Sequence, residues 1–312
     1  MAGRTVSRVR GGATKKAEGR SVEPPAEATP LGTLALGPGI GAYVGPGFMM
    51  PEAVYDTARL VIAKDGPFTF KMHVTQAVTR CTSFPAHTRH MVDSRGSTVA
   101  VIYADWRTHF ARVIRNLGRE GLSQELVTRV RDVPFPRESP ESIEKALIGW
   151  TTALDNTARL GSPSELAALM IEAAEVNIRS GDDWSPRTLA RSIGTSLERL
   201  AIDMAKIGLS YAALMRWLRM TAAIGASRQG QRDELVARLA GGRATQSVAE
   251  RFEEWFGLPT EMLSGSGKVV GLFGATIEDQ PEHPAARSRE AAPPRRGGRA
   301  TPATRGRTPA SR

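Results

Sequence analysis

Residues 31–50 read LGTLALGPGIGAYVGPGFMM, twenty positions without a charged side chain. The length fits a membrane span, but six glycines and two prolines in this stretch would break a spanning helix. An uncharged segment of this kind has to lie against protein. We therefore expect an extended apolar arm, packed on the chain's own core or on a neighbouring copy.

Basic side chains are concentrated at the two ends of the chain. Residues 1–30 carry a net charge of +3 and residues 280–312 carry +6, out of +10 for all 312 residues. Both ends are rich in Gly, Pro and Ala and lack apolar periodicity. Neither end can therefore bury enough apolar surface to offset the conformational entropy that it would lose on folding. We expect two disordered basic tails on a nearly neutral folded core, with an acidic polymer as partner and no membrane.

The apolar periodicity beyond the arm is mostly helical. It predicts a first helix over 51–65, possible short strands within 68–101, and an amphipathic helix after Trp106. Ser-Pro dipeptides recur where further helices are predicted to begin, because serine caps a helix and proline suits its first turn. The dipeptides lie at 139–140, 162–163 and 185–186. Three further helices are predicted over 210–226, 232–240 and 245–256.

The fold class predicted from these patterns is mostly α: a helical-bundle core with disordered basic tails and an extended Gly-rich arm. The predicted organisation, in chain order, is a basic tail over 1–30, the arm over 31–50, a helical core domain over 51–258, a C-terminal arm over 259–279 and an Arg/Pro/Ala-rich tail over 280–312.

No stretch of the sequence has the residue pattern of an enzyme site. His73, Cys81, His87 and His90 lie close together in sequence, but their spacing is irregular and lacks the paired cysteines of a zinc site. The sequence around Lys268 lacks the Ser or Thr that a phosphate loop requires. We therefore expect no enzyme activity, no cofactor and no metal, while the role of the histidine–cysteine cluster stays open.

The candidate nucleic-acid-binding side chains are basic residues of the tails and of two predicted helices. Arg112, Arg115 and Arg119 face away from the apolar stripe of their helix and could follow phosphates. Arg216 and Arg219 flank a tryptophan, a residue that stacks on bases. A solvated helix face and a buried tryptophan are the alternative interpretations. The full set is Arg4, Arg8, Arg10, Lys15, Lys16, Arg20, Arg112, Arg115, Arg119, Arg216, Arg219, Arg228, Arg295, Arg296, Arg299, Arg305 and Arg307.

The composition resembles that of a group of viral proteins. Pro, Ala and Ser make up 83 residues, helices start at Ser-Pro, and the chain ends in AAPPRRGGRATPATRGRTPASR. In these three features the chain is similar to coat and nucleocapsid proteins of filamentous viruses, and most of all to the proline-alanine-serine-rich proteins of polymycoviruses. The resemblance implies a structural protein, in the virion or the host cytoplasm, that coats double-stranded genomic RNA without sequence specificity. Copies would join through residues 31–50 and the C-terminal arm.

Residues 188–204, TLARSIGTSLERLAIDM, support a different interpretation. Ala190 and Gly194 have the spacing of the close-packed position and the turn of a helix-turn-helix. Its second helix carries as many acids as bases, whereas a DNA-binding surface is normally basic. The alternative is therefore a DNA-binding regulator with basic tails, and a third class, a scaffold whose tails bind acidic proteins or anionic membrane, also stays open. The predicted core of this unit is Leu189, Ile193, Leu197 and Leu200.

Overall fold

Two β-sheets, rather than helices, form the first part of the fold in this computed structural model. The structure describes residues 31–120, 122–155, 165–180, 185–206, 208–241, 247–263, 267–273 and 277. Of the described residues, 47% are helical and 27% lie in strands. The predicted mostly α bundle is therefore wrong.

The described strands form one six-stranded and one four-stranded sheet. The six-stranded sheet has the order β10-β1-β2-β9-β4-β7 and is antiparallel except for the parallel pair β1 and β10. The four-stranded sheet has the order β3-β8-β5-β6. Their bounds are β1 Leu31–Gly37, β2 Ile40–Pro46, β3 Met49–Val54, β4 Thr57–Ala63, β5 Phe68–Met72, β6 Thr75–Thr79, β7 Cys81–Phe84, β8 Arg89–Asp93, β9 Thr98–Asp105 and β10 Gly267–Gly271.

The described helices follow β9 and precede β10. Serine side chains cap the first turns of α2, α3, α5, α7 and α9 by accepting a backbone N–H. The predicted starts at Ser139-Pro140 and Ser185-Pro186 are confirmed, whereas Ser162-Pro163 lies outside the described residues. The bounds are α1 His109–Glu120, α2 Gln124–Asp132, α3 Pro140–Leu154, α4 Glu165–Ser180, α5 Pro186–Ser192, α6 Leu197–Lys206, α7 Tyr211–Arg228, α8 Asp233–Leu239 and α9 Val248–Phe256.

The six-stranded sheet is buried on both of its faces. Leu34, Tyr43 and Val101 belong to the core between the two sheets. The adjacent Ala35 and Ala42 belong to a second core, which the opposite face forms with α1 and α3. Successive side chains of a strand alternate between faces, so a strand covered on both sides is apolar at almost every position.

This double burial explains two predictions that are wrong. Residues 31–50 form β1, β2 and the start of β3 instead of an extended arm, and residues 51–65 form β3 and β4 instead of a helix. The usual sign of a strand, alternating apolar and polar residues, is missing because neither face meets water. The short strands predicted within 68–101 are confirmed, and they include β5 and the first residues of β9.

The chain returns to the sheet after the last helix. A short 3-10 helix, Thr260–Met262, leads into β10, whose residues pair in parallel with β1. Residues predicted as a C-terminal arm thus complete the six-stranded sheet. All described residues belong to one compact unit, and no helix among them is long and apolar enough to cross a membrane.

Truncation of a β1 leucine should show that residues 31–50 are core. Leu34 is 0% exposed, so Leu34→Ala should lower the free energy of unfolding by about 2–5 kcal/mol. The matched control is Leu169→Ala on α4, because Leu169 is 48% exposed and its truncation should cost less than about 0.5 kcal/mol. Urea titration followed by circular dichroism measures both, and equal losses would contradict the assignment of β1 to the core.

Candidate nucleic-acid interface

Helices α5 and α6 form a helix-turn-helix around Gly194. The backbone of Gly194 is left-handed, with φ of +70°, a conformation that glycine adopts without strain. The N–H of Thr195 donates to the carbonyl of Ala190 at 2.9 Å, which closes the end of α5. Ser196 then caps α6 by accepting the N–H of Arg199 at 3.1 Å. The predicted helix-turn-helix is confirmed as local geometry.

One side of this helix pair packs on α4 and α7. Ala190 of α5 and Leu200 and Met204 of α6 are buried among apolar side chains of α4 and α7. The predicted core residue Leu189 is buried, but Leu197 is 38% exposed and is not part of that core. The buried side thus fixes both helices against neighbouring elements, and the other side is left to solvent.

The solvent-facing side of α6 carries apolar and acidic side chains with two cations at its edge. Residues 197, 198, 201, 202 and 205 are exposed on one face of the helix, and the exposed Arg199 and Lys206 border that face. Ile202 is 52% exposed and Leu197 38%. Sequence analysis missed this face: Ile202 lies out of phase with Leu200 and Met204 and could have been recognised as exposed, whereas Leu197 shares their phase.

The two basic residues of α6 are paired within the helix. The carboxylate of Asp203 is 3% exposed and accepts from Arg199 at 2.8 Å and from Lys206 at 2.7 Å. The hydrogen bond from Lys206 is the main reason why the pKa of Asp203 lies below its usual value. Hydrogen bonds from its own backbone N–H and from Ser196 likewise lower the pKa of Glu198. Because Arg199 and Lys206 are each more than half exposed, the two acids and two bases of α6 leave the helix without net charge at neutral pH.

Further exposed positive charge on this unit comes from α5. Arg187 and Arg191 are one turn apart on α5, and both are exposed. Arg187 lies close enough to Glu198 to contribute to the lowering of that pKa. These two arginines were not among the candidates from sequence, which lay in the tails and in two other predicted helices.

A second pair of short helices, α8 and α9, follows α7, but α9 is buried in the β-structure. Phe252 and Phe256 are 0% exposed and Trp255 is 2% exposed. Their neighbours are residues of the core between the sheets, among them Tyr103, whose ring contacts Phe256 edge to face at 5.1 Å. Helix α9 therefore fills one end of the space between the two sheets.

Arg59, in the middle of β4, holds the C-terminal end of α9. The guanidinium is 0% exposed and donates to the carbonyl of Trp255 at 3.1 Å, while its carbon atom lies 3.6 Å from the centre of the Tyr55 ring. Within the described residues its hydrogen bonds reach no carboxylate. The negative end of the helix dipole offsets part of the buried charge, and burial lowers the pKa of Arg59 to about 10.

Arg216, a predicted nucleic-acid contact on α7, takes part in an internal network. Its guanidinium donates to Asp105 at 3.0 Å and to Asp56 at 3.5 Å, and it lies 4.5 Å from the centre of the Trp255 ring. Asp105 is 0% exposed and the Arg216 side chain only 23% exposed. The adjacent Trp217 is 1% exposed, so the expectation that it stacks on a base is wrong.

The other sequence-predicted candidates divide into three groups. Arg112 and Arg115 are exposed on α1, opposite its buried stripe, as predicted. Arg219 packs against Gly241 at the end of α8, and Arg228 donates to the carbonyl of Met262 at 2.7 Å. The last group lies outside the residues or side chains that the structure describes: Arg4, Arg8, Arg10, Lys15, Lys16, Arg20, Arg119, Arg295, Arg296, Arg299, Arg305 and Arg307.

The histidine–cysteine cluster of the sequence does not come together. His90 is buried and stacks on Phe84 at 4.3 Å, and Cys81 is buried in β7, whereas His73 lies exposed in a turn. Within the described ranges, no three His, Cys, Asp or Glu side chains lie close enough to hold one metal ion. The positions of these residues are explained by packing in and around the β-structure.

Comparisons with known proteins give only distant likenesses. No family model and no curated protein matches the sequence. A structure of ToxT from Vibrio cholerae aligns over 72% of this chain and 98% of its own, with 11% identity and a TM-score of 0.35. Two other structures match smaller parts of this chain. BH2720 from Bacillus halodurans aligns over 21% of this chain and 61% of its own, with 16% identity and a TM-score of 0.19. KdgF from Halomonas sp. aligns over 23% of this chain and 74% of its own, with 15% identity and a TM-score of 0.21. TM-scores this low show no shared fold or function.

The resemblance to viral coat proteins is wrong. The described residues form two sheets with helices instead of the expected helical bundle with extended arms, and no comparison indicates a coat protein. The arms through which copies were to join are internal strands of the six-stranded sheet. The predicted virion location, the preference for RNA and the filamentous assembly therefore lose their basis.

The buried His90 should make the fold sensitive to acid. Burial lowers the pKa of His90 from 6.5 to about 3, so between these pH values the unfolded chain binds a proton that the folded chain does not. The free energy of unfolding should then decrease as the pH falls below 6.5, by at most about 1.4 kcal/mol per pH unit from this group.

Urea unfolding between pH 7 and pH 4 measures this effect. His90→Asn should lower stability at pH 7 but make its decline toward pH 4 shallower. His73→Asn, at an exposed turn position, is the matched control and should keep the wild-type slope. An unchanged slope for His90→Asn would contradict the assignment.

Proposed function

We propose that the chain is a DNA-binding regulator that docks the α5–α6 unit in the major groove of duplex DNA. The observation that carries this proposal is the geometry around Gly194: two short helices joined by a tight turn, held from behind by α4 and α7, with the outer face of α6 free. In helix-turn-helix proteins the second helix lies in the major groove and its N-terminal residues contact base edges.

Groove dimensions favour duplex DNA over double-stranded RNA as the partner. The major groove of B-form DNA is about 12 Å wide and admits an α-helix, whereas that of A-form RNA is deep and too narrow for side chains to read. An exposed helix presented by a rigid support fits the former. The RNA preference expected from sequence is therefore replaced by a preference for DNA.

Phosphate contacts come from outside α6 in this proposal. Arg187 and Arg191 are exposed on α5, and Arg187 lies near Glu198 in the N-terminal turn of α6, where a phosphate would flank the groove. The basic residues of 1–30 and 280–312 add net charges of +3 and +6 that attract DNA irrespective of sequence.

Selection from a random duplex library tests the proposal. The full chain is incubated with the library at moderate salt, bound DNA is recovered and sequenced, and binding to a recovered site is compared with binding to double-stranded RNA of equal length. Enrichment of one motif is expected, together with weaker binding to the RNA. Recovery of unselected sequence with equal affinity for the RNA would refute it.

Removal of the α5 arginines should weaken DNA binding through lost phosphate contacts. For Arg187→Ala with Arg191→Ala, the plot of log affinity against log salt concentration should become shallower by about 0.9 for each lost contact. Arg80→Ala with Arg89→Ala removes the same charge from exposed positions of the β-structure and is the matched control. Fluorescence anisotropy over a salt series measures the slopes, and equal effects of the two pairs would argue against docking through α5.

Neutralising the C-terminal tail should affect affinity but not sequence preference. Substitution of five arginines by glutamine should lower affinity for selected and unselected DNA by the same factor, because the tail meets phosphates rather than bases. The measurement is the affinity ratio between the two DNAs at one salt concentration, and a change in that ratio would contradict this role. The residues are Arg295, Arg296, Arg299, Arg305 and Arg307.

A further inference from the structure

The middle of the exposed face of α6 offers bases apolar groups and a hydrogen-bond acceptor, and the exposed Arg199 and Lys206 lie at its edge. The groups in the middle are an apolar side chain at each of Leu197 and Ile202, 38% and 52% exposed, and the carboxylate of the exposed Glu198. The cations of α6, Arg199 and Lys206, are both hydrogen-bonded to Asp203. What this face can recognise therefore depends on apolar contact and on a hydrogen-bond acceptor.

Base edges in the major groove differ in the groups that such a face could bind. Thymine presents a methyl group, which apolar side chains contact, and cytosine presents an N4 amino group, which a carboxylate accepts from. Guanine presents acceptors at N7 and O6, which call for arginine or lysine. An ionised Glu198 can only accept hydrogen bonds, so it suits cytosine and disfavours guanine.

The second helix pair does not offer an alternative reading surface. Phe252, Trp255 and Phe256 of α9 are buried between the sheets. The carbonyls of Glu254 and Trp255 accept hydrogen bonds from Asp56 N–H and from Arg59, which anchors the helix end to β4. The exposed positions of α9 are Glu250, Glu253 and Glu254, whose carboxylates repel phosphate, so recognition of bases falls to α6.

We propose that Leu197, Glu198 and Ile202 determine the sequence preference of this chain, by selecting thymine and cytosine at the positions facing α6, and that α9 reads no base. The proposal rests on the proposed DNA-binding function and specifies its target: duplex sites with a pyrimidine-rich strand under α6. Glu198 accepts the cytosine amino group, and the two apolar side chains contact thymine methyl groups. Positive charge from α5 and the tails supplies the phosphate attraction that α6 lacks.

Exchange of the carboxylate for an amide gives the sharpest test. Glutamine pairs with adenine through N6 and N7, so Glu198→Gln should change the preferred base at one position of the site from cytosine to adenine. A good pair of this kind discriminates by about tenfold to hundredfold, which sets the expected change in base preference. Glu198 is exposed, so the substitution leaves the buried core of the unit intact.

The experiment is random-library selection with three full-length proteins, the wild type, Glu198→Gln and the control Glu253→Gln. Glu253 is an exposed glutamate of α9, so its substitution removes the same charge from the helix that reads no base. The proposal expects a cytosine-to-adenine change for Glu198→Gln and the wild-type motif for Glu253→Gln. Unfolding by urea confirms that both variants fold.

Two outcomes would overturn the proposal while leaving DNA binding in place. The first is a motif that Glu198→Gln leaves unchanged, and the second is a motif that Glu253→Gln alters. A third outcome, no enriched motif with the wild type, would overturn the proposed function together with this inference. In a parallel selection, Leu197→Ala should weaken a thymine preference that Leu169→Ala, an exposed leucine of α4, leaves unchanged.

Discussion

Burial of α7 on two sides is the constraint on which the rest of the structure depends. Trp217 and Ile224 lie in the core between the sheets, whereas Leu214 and Leu218 lie in the core of the helical unit. One helix thus contributes to two hydrophobic cores, so the helix-turn-helix cannot separate from the β-structure without exposing apolar surface. Arg216 on the same helix adds charge contacts to the β-structure through Asp105 and Asp56. The interface proposed on α6 is held by the packing of α6 on α4 and α7 and, through α7, by the β-structure.

The contact between Arg59 and α9 shows how the β-structure and the last helices depend on each other. A guanidinium without a carboxylate partner is costly to bury, and the cost is offset where a helix ends against it with free carbonyls and partial negative charge. After α9 the chain passes through a short 3-10 helix into β10, which pairs in parallel with β1. An element that would otherwise present a second helix pair to a partner has become part of the core, which concentrates the binding surface in α5 and α6.

Local signals in the sequence predicted local structure, and tertiary burial decided the rest. The serine caps at Ser139, Ser185 and Ser210 and the turn at Gly194 were recognisable because the responsible hydrogen bonds span only a few residues. The central strands were not, because a sheet covered on both faces loses the alternation by which strands are recognised. The exposure of Leu197 depends on how α6 packs against α4 and α7, information that no short window of sequence contains.

The near neutrality of α6 counted against DNA binding when the sequence was considered alone, yet it is consistent with a division between affinity and specificity. Affinity for a polyanion depends on the number of phosphates neutralised, and the cations may stand anywhere along the contact. Specificity depends on donors, acceptors and methyl contacts at base edges, where an arginine is only one solution. With +9 of the net charge in 1–30 and 280–312 and two exposed arginines on α5, α6 need not be basic. The carboxylate and the apolar side chains on its exposed face then determine which base edges α6 can contact.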